Sequence, residues 1–194
     1  CNPFYKLGVY EKEAQAGMTD LELIEGCIDN DPTAQKKMYA AFASKMMGVA
    51  CRYANNQEDA QDILQDSFVK VFDRIGSFKK EGSLVGWVRR IVVNTALDYL
   101  RKQKKDKRNV SLSEAEYLAS DKDFILERLS AEEILQLLKT MPQGYKTIFN
   151  LYAIEGYSHK EIAAELEISE NTSKSQYSRA KGFMRKLIEQ YEID

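Results

Sequence analysis

The chain has 194 residues, 44% of them hydrophobic and 30% charged, and a formal net charge of −2, so it can bury a core and stay soluble while its total charge gives no hint of a nucleic-acid partner. No run of ~18 apolar residues exists, so no transmembrane helix is expected, and no basic stretch followed by an apolar one marks a signal peptide. The three cysteines, Cys1, Cys27 and Cys51, are far apart, with no C-x-x-C and a single histidine, His159; neither a disulfide framework nor a zinc site is expected, and the cytoplasm is the natural compartment.

Residues 1–17 carry no clear pattern and are left as an unassigned N-terminal extension. Thr19 and Glu22 have the spacing of a capping box and open a helix over 20–28. Asp31 and Pro32 cap and start a second helix, whose apolar positions are Met38, Phe42, Met46, Val49 and Tyr53. Asn55 and Asn56 interrupt it. A third helix starts near residue 57, with Ala60, Ile63, Leu64, Phe68, Val71, Phe72 and Ile75 on one face. A loop over 76–82 leads to a fourth helix with Leu84, Trp87, Val88, Ile91, Val92 and Tyr99 inward. Trp87 is read as core, because its spacing matches Leu84 and Ile91.

The fourth helix runs into RKQKKDKR (101–108), where six of eight residues are basic and one is acidic. The composition then turns to Ser, Glu and Asp without periodicity, which reads as a flexible linker over 102–123. Ser130 and Glu133 form a second capping box before Ile134, Leu135, Leu137 and Leu138. Pro142 starts a helix with Tyr145, Ile148, Phe149 and Tyr152, and Gly156 ends it. No alternating β pattern of useful length occurs. The expected fold is all-α, with helical domains over 18–101 and 124–194.

Residues 158–186 carry the most specific pattern. Ser158 and Glu161 make a third capping box, and Ile162, Ala163 and Leu166 form one apolar face. Glu167-Ile168-Ser169 makes the turn, with Ile168 as a buried plug and Ser169 as the next N-cap. Over 170–186 the helix that follows bears Lys174, Arg179, Lys181, Arg185 and Lys186 against a single acid, Glu170. This is a helix-turn-helix, whose second helix enters the major groove of DNA. Ser173, Tyr177, Ala180 and Met184 share its inner face; Asn171, Lys174, Ser175, Ser178 and Arg179 project outward, where they can meet phosphates and base edges. Ser173 departs from the β-branched apolar residue usual at that inner position.

Glu58, Asp59, Asp62 and Asp66 form an acidic cluster that reads as a metal site, a solvated face or a dock for a basic partner. Metal catalysis needs convergent ligands from several elements, and no His or Cys assists here. No metal, no cofactor and no enzymatic activity are expected.

Together these stretches resemble the extracytoplasmic-function (ECF) sigma factors of the sigma-70 family. Residues 61–102 are similar to their region 2 and residues 137–181 to their region 4, in the family's order with a short linker and no region 3. The resemblance implies a non-enzymatic specificity subunit of bacterial RNA polymerase. Asp62, Gln65 and Asp66 match the positions that grip the clamp helices of the largest polymerase subunit, Asp66 standing where Glu is more frequent. The loop 78–83, with Phe78, Lys79, Lys80 and Ser83, and the following helix, with Arg90 and Asn94 in the family's R-[IL]-x-x-N pattern, match the elements that melt the −10 promoter element. Arg101 and the cluster after it would lie on upstream duplex phosphates. Asn171, Lys174, Ser175, Ser178 and Arg179 would read the −35 element. The resemblance also implies promoter DNA as a partner, no small-molecule substrate, and an anti-sigma factor, membrane-tethered in many members. Glu167 replaces a turn glycine, so its backbone must avoid positive φ or accept strain. Gln176 replaces an arginine and Leu84 an aromatic residue. From the residues alone, a dimeric helix-turn-helix repressor or activator working without polymerase is the alternative.

Overall fold

The computed structural model describes residues 19–79, 81–106 and 130–191. The extension over 1–17, Lys80 and most of the expected linker lie outside the described residues. Every regular element among the described residues is helical, and the chain forms two compact units, Cys1–Asn109 and Val110–Asp194.

The first unit contains α1 (Asp20–Ile28), α2 (Pro32–Tyr53), α3 (Gln57–Arg74) and α4 (Leu84–Asp106), with a 3₁₀ turn at Ile75–Ser77. Its helix starts are chemically marked. The Thr19 amide donates to Glu22 Oε2 at 2.7 Å, and the Glu22 amide donates back to Thr19 Oγ1 at 3.3 Å. Those bonds hold the Glu22 carboxyl below its usual pKa. Asp31 accepts from the amides of Thr33 and Ala34, with Pro32 in the first turn, and Asn56 accepts from the amide of Asp59 at 2.8 Å. Helix α2 packs against α1, α3 and α4, and α3 against α4. Met38, Tyr53, Ile63, Val71, Val88 and Leu97 are all within 2% of complete burial. The α1–α2 crossing needs Gly26: a Cβ there would sit 2.6 Å from the Ala34 Cβ.

Two expectations are corrected in this unit. Trp87, Ile91 and Tyr99 are half-buried, while Val93, Ala96 and Leu97 complete the buried stripe of α4. Cys27 is a buried free thiol whose pKa burial raises. Helix α4 also continues through Asp106, into the segment expected as linker.

The second unit contains α5 (Ala131–Thr140), α6 (Gln143–Phe149), a π-helical turn (Asn150–Ile154), α7 (His159–Leu166) and α8 (Glu170–Tyr191). Helix α8 is its spine and packs on α5, α6 and α7. Leu137, Leu138, Met141, Phe149, Ala180 and Met184 form the core. The Ser130–Glu133 capping box is present. Pro142 is the N-cap of α6, one position before its expected place. The π-helical turn closes with the Glu155 amide donating to Asn150 O at 2.9 Å, and Gly156, at φ +75°, ends the run.

Candidate nucleic-acid and protein interfaces

On α3, Asp62, Gln65 and Asp66 are all exposed and occupy one face at i, i+3 and i+4. The acidic cluster is divided by the fold. Asp59 turns toward α4, where its hydrogen bond and charge, behind the larger effect of burial, help push the Tyr99 phenol up to about 12. No group of three or more His, Cys, Asp or Glu side chains among the described residues is placed to hold a metal ion. Val69 extends the exposed face of α3 and is 56% exposed. Sequence reading missed it. Its signal is an apolar residue off the buried stripe, three and four positions beyond Asp66 and Gln65.

Ser83, Arg90, Asn94 and Arg101 fall on one stripe of α4, because their spacings of seven, four and seven residues are near whole helical turns. Ser83 is an N-cap as well as a candidate contact: its carbonyl accepts from the Trp87 amide at 3.0 Å and its hydroxyl from the Gly86 amide at 3.4 Å. Lys79 and Arg90 are exposed and Phe78 is half-buried. The Phe78 ring packs on Trp87, with centroids 5.6 Å apart at 51°. Trp87 thus stands beside Arg90 and Asn94 at helical spacing and joins the candidate face. Asn94 Oδ1 is buried with no hydrogen-bond partner among the described residues, so an incoming donor would relieve a desolvation cost. Arg101 is exposed, but its Nη1 lies 2.7 Å from Asp98 Oδ1, and Asp98 Oδ2 takes Lys70 Nζ at 3.2 Å. These groups, with Asp66, Tyr99 and Lys102, line a groove of about 320 Å³ between α3 and α4.

In the second unit the Ser158 amide donates to Glu161 Oε2 at 2.9 Å, and the Glu161 amide donates to Ser158 Oγ at 3.2 Å, fixing the start of α7. Glu167 takes the left-handed conformation (φ 54°, ψ 44°); of the two outcomes the missing glycine left open, the backbone accepts strain. Ser169 caps α8, accepting from the Thr172 amide at 3.0 Å. Ile168 is half-buried, a shallower plug than expected. Asn171, Lys174 and Ser175 are exposed, whereas Ser178 and Arg179 are half-buried. Lys174 Nζ lies 2.8 Å from Glu170 Oε1, and that bond holds the Glu170 carboxyl below its usual pKa. Ser173 is completely buried, and its hydroxyl meets Nδ1 of His159 at 3.0 Å, which accounts for a polar residue at an apolar position.

Comparison with known proteins finds one family match within each unit. Residues 38–106 match Sigma-70 region 2, and residues 131–184 match Sigma-70, region 4. The chain is 33% identical over 137 residues to the RNA polymerase sigma factor SigV of Bacillus subtilis, covering 71% of this chain and 80% of that one. It is 28% identical over 191 residues to the ECF RNA polymerase sigma-E factor of Haemophilus influenzae, covering 89% and 96%. In fold it is similar to the sigma factor RpoE of Bartonella quintana, solved in complex with the anti-sigma factor NepR, at a TM-score of 0.50 and 20% identity over 79% of this chain and 96% of that one. The chain therefore belongs to the sigma-70 family of RNA polymerase sigma factors, among the ECF sigma factors.

Proposed function

We propose that this chain is the promoter-specificity subunit of a bacterial RNA polymerase and carries no catalytic chemistry of its own. Its domains run over 18–106 and 124–194, with 107–123 as the tether. Asp62, Gln65 and Asp66, extended by Val69, dock a basic surface of core polymerase: three polar side chains set orientation, and the apolar one adds burial. The loop carrying Phe78, Lys79, Lys80 and Ser83, with Arg90 and Asn94, holds bases of the opened −10 element. Strand opening needs only that unstacked bases be held better than stacked ones, worth a few kcal/mol per base. Arg101 exchanges Asp98 for duplex phosphate. Asn171, Lys174, Ser175, Ser178 and Arg179 read the −35 element from the major groove.

The observation that carries this reading is the pairing of regions 2 and 4 in one chain, each with its own exposed face: acidic on α3, basic on α8. The work is placed in the cytoplasm, where polymerase operates, and an anti-sigma factor, membrane-tethered or free, is the expected inhibitor. The test is transcription in vitro with purified core polymerase on the DNA upstream of the protein's own gene. Specific transcripts that need the chain support the proposal. Protection of a palindrome by a dimer without polymerase would identify a repressor or activator instead.

A further inference from the structure

Ser173 lies on α8 one residue before Lys174 and two before Ser175, and it is 0% exposed. The other buried residues on that face, Ala180 and Met184, are apolar. A hydroxyl buried there without a partner would bear its full desolvation penalty. Its partner is Nδ1 of His159, 3.0 Å away, the first residue of α7. The imidazole is fixed in turn. It stacks on Tyr152 with centroids 4.3 Å apart and planes at 17°, and Tyr177 of α8 lies 5.8 Å from it. Tyr152 and Tyr177 also pack on each other at 4.3 Å. One directional bond, backed by three rings, therefore joins α7, the π-helical turn and the start of α8.

The direction of that bond matters. The fully buried Ala180 and Met184 orient α8 along its middle, about two and about three turns beyond Ser173, whereas at its first turns the bond adds a constraint that depends on angle. A hydrogen bond weakens steeply once misaligned. Neighbouring residues on a helix are separated by about 100° of turn. Fixing the azimuth of Ser173 therefore fixes that of Lys174, Ser175 and, one turn on, Ser178. The charged groups facing the imidazole are Lys174 and Glu170 of α8. Burial, then Lys174, hold its pKa below 6.5 against the opposing pull of Glu170, so the ring is neutral at neutral pH.

We propose that His159 is a positioning residue for promoter recognition: through the buried Ser173 hydroxyl it sets the rotation of α8, and with it the placement of Lys174, Ser175 and Ser178 against base edges. The proposal rests on the reading that α8 meets the −35 element. The test uses holoenzyme assembled from core polymerase and the full chain, competing a promoter fragment against one with scrambled −35 bases. His159→Phe keeps a ring for the Tyr152 stack and removes Nδ1; Ser173→Ala removes the hydroxyl; His159→Asn keeps a polar partner near the Nδ1 position. Each of the first two is expected to cut the preference for the intact −35 element about fivefold, the double variant no further, with His159→Asn recovering most of it. Unchanged discrimination in a folded single variant, additive losses, or no recovery with Asn overturns the proposal. A lowered melting temperature with intact discrimination also overturns it, leaving a purely structural bond. Should His159→Phe fail to fold, Ser173→Ala decides alone. A wild-type holoenzyme indifferent to the −35 bases overturns the reading of α8 itself, and the lock with it.

Discussion

The two units position their candidate faces by different physics. In the first, α3 and α4 are 18 and 23 residues long, and apolar packing along their length orients them. Their exposed faces are what burial leaves over, so Asp62, Gln65, Asp66 and Val69 share a row because the opposite row is core. In the second, α7 has only eight residues and one fully buried side chain, Ile162. Directional contacts supply the rest: the Ser158–Glu161 box, the Ser169 cap, a left-handed Glu167 and the Ser173–His159 bond. A broad stripe suits a rigid dock. The 22-residue α8 is packed along its middle, and the short α7 adds directional bonds at the first turns of α8, where a small rotation changes which atoms meet.

The comparison can be broken most sharply at the dock. Asp62→Arg converts the carboxylate proposed to dock into a cation and should weaken binding to core polymerase by about tenfold or more while leaving the melting temperature of the protein nearly unchanged, because the site is exposed. Affinity for labelled core polymerase measures it, and unaltered holoenzyme assembly would remove Asp62 from the interface. On the basic side, Arg179→Ala should lower promoter affinity by about 1–3 kcal/mol if the guanidinium is bidentate to guanine. Filter binding of holoenzyme to single-base −35 variants would show relaxed preference at one position; a uniform loss would make Arg179 a phosphate contact.

Smaller effects sharpen the view of the turn. Glu167→Gly relieves a left-handed residue and should raise the stability of the second unit by about 0.5–1 kcal/mol, read from urea unfolding. Equal or lower stability would mean that the Glu167 side chain contributes more than the strain costs. The pH response is smaller still. The folded His159 pKa lies below 6.5, so between these two values the unfolded chain binds more protons. That part of the stability is present above pH 6.5 and is lost as pH falls toward the folded value. His159 is the only histidine, so its NMR signal in the full chain should titrate below 6.5. A midpoint above 6.5 would place the imidazole in a wetter or more acidic setting.

Local chemistry was legible in the sequence, and contacts between distant residues were not. The three capping boxes, the Asp31–Pro32 start and the turn around residue 167 all depend on groups within a few positions of one another, and each is present. Trp87 was misread because spacing locates a stripe without giving its width: the core takes Val88, Val92, Val93 and Ala96 and leaves Trp87 at the rim with Phe78. The oddity of Ser173 was visible, but its cause lies 14 residues away. The pairing of Asp98 with Lys70 spans 28 residues and has no local signature. In the candidate faces the residue types could be named from sequence, whereas Val69, the cap made by Ser83 and the ion pair holding Arg101 required coordinates.

Footprinting of promoter DNA with the full chain, core polymerase, or both, using a reagent that modifies unpaired thymines, tests the division of labour most directly. The expected result is protection around −35 together with reactive bases at −10, seen only when both proteins are present. Strong protection by the chain alone, or open −10 bases with core polymerase alone, would contradict it.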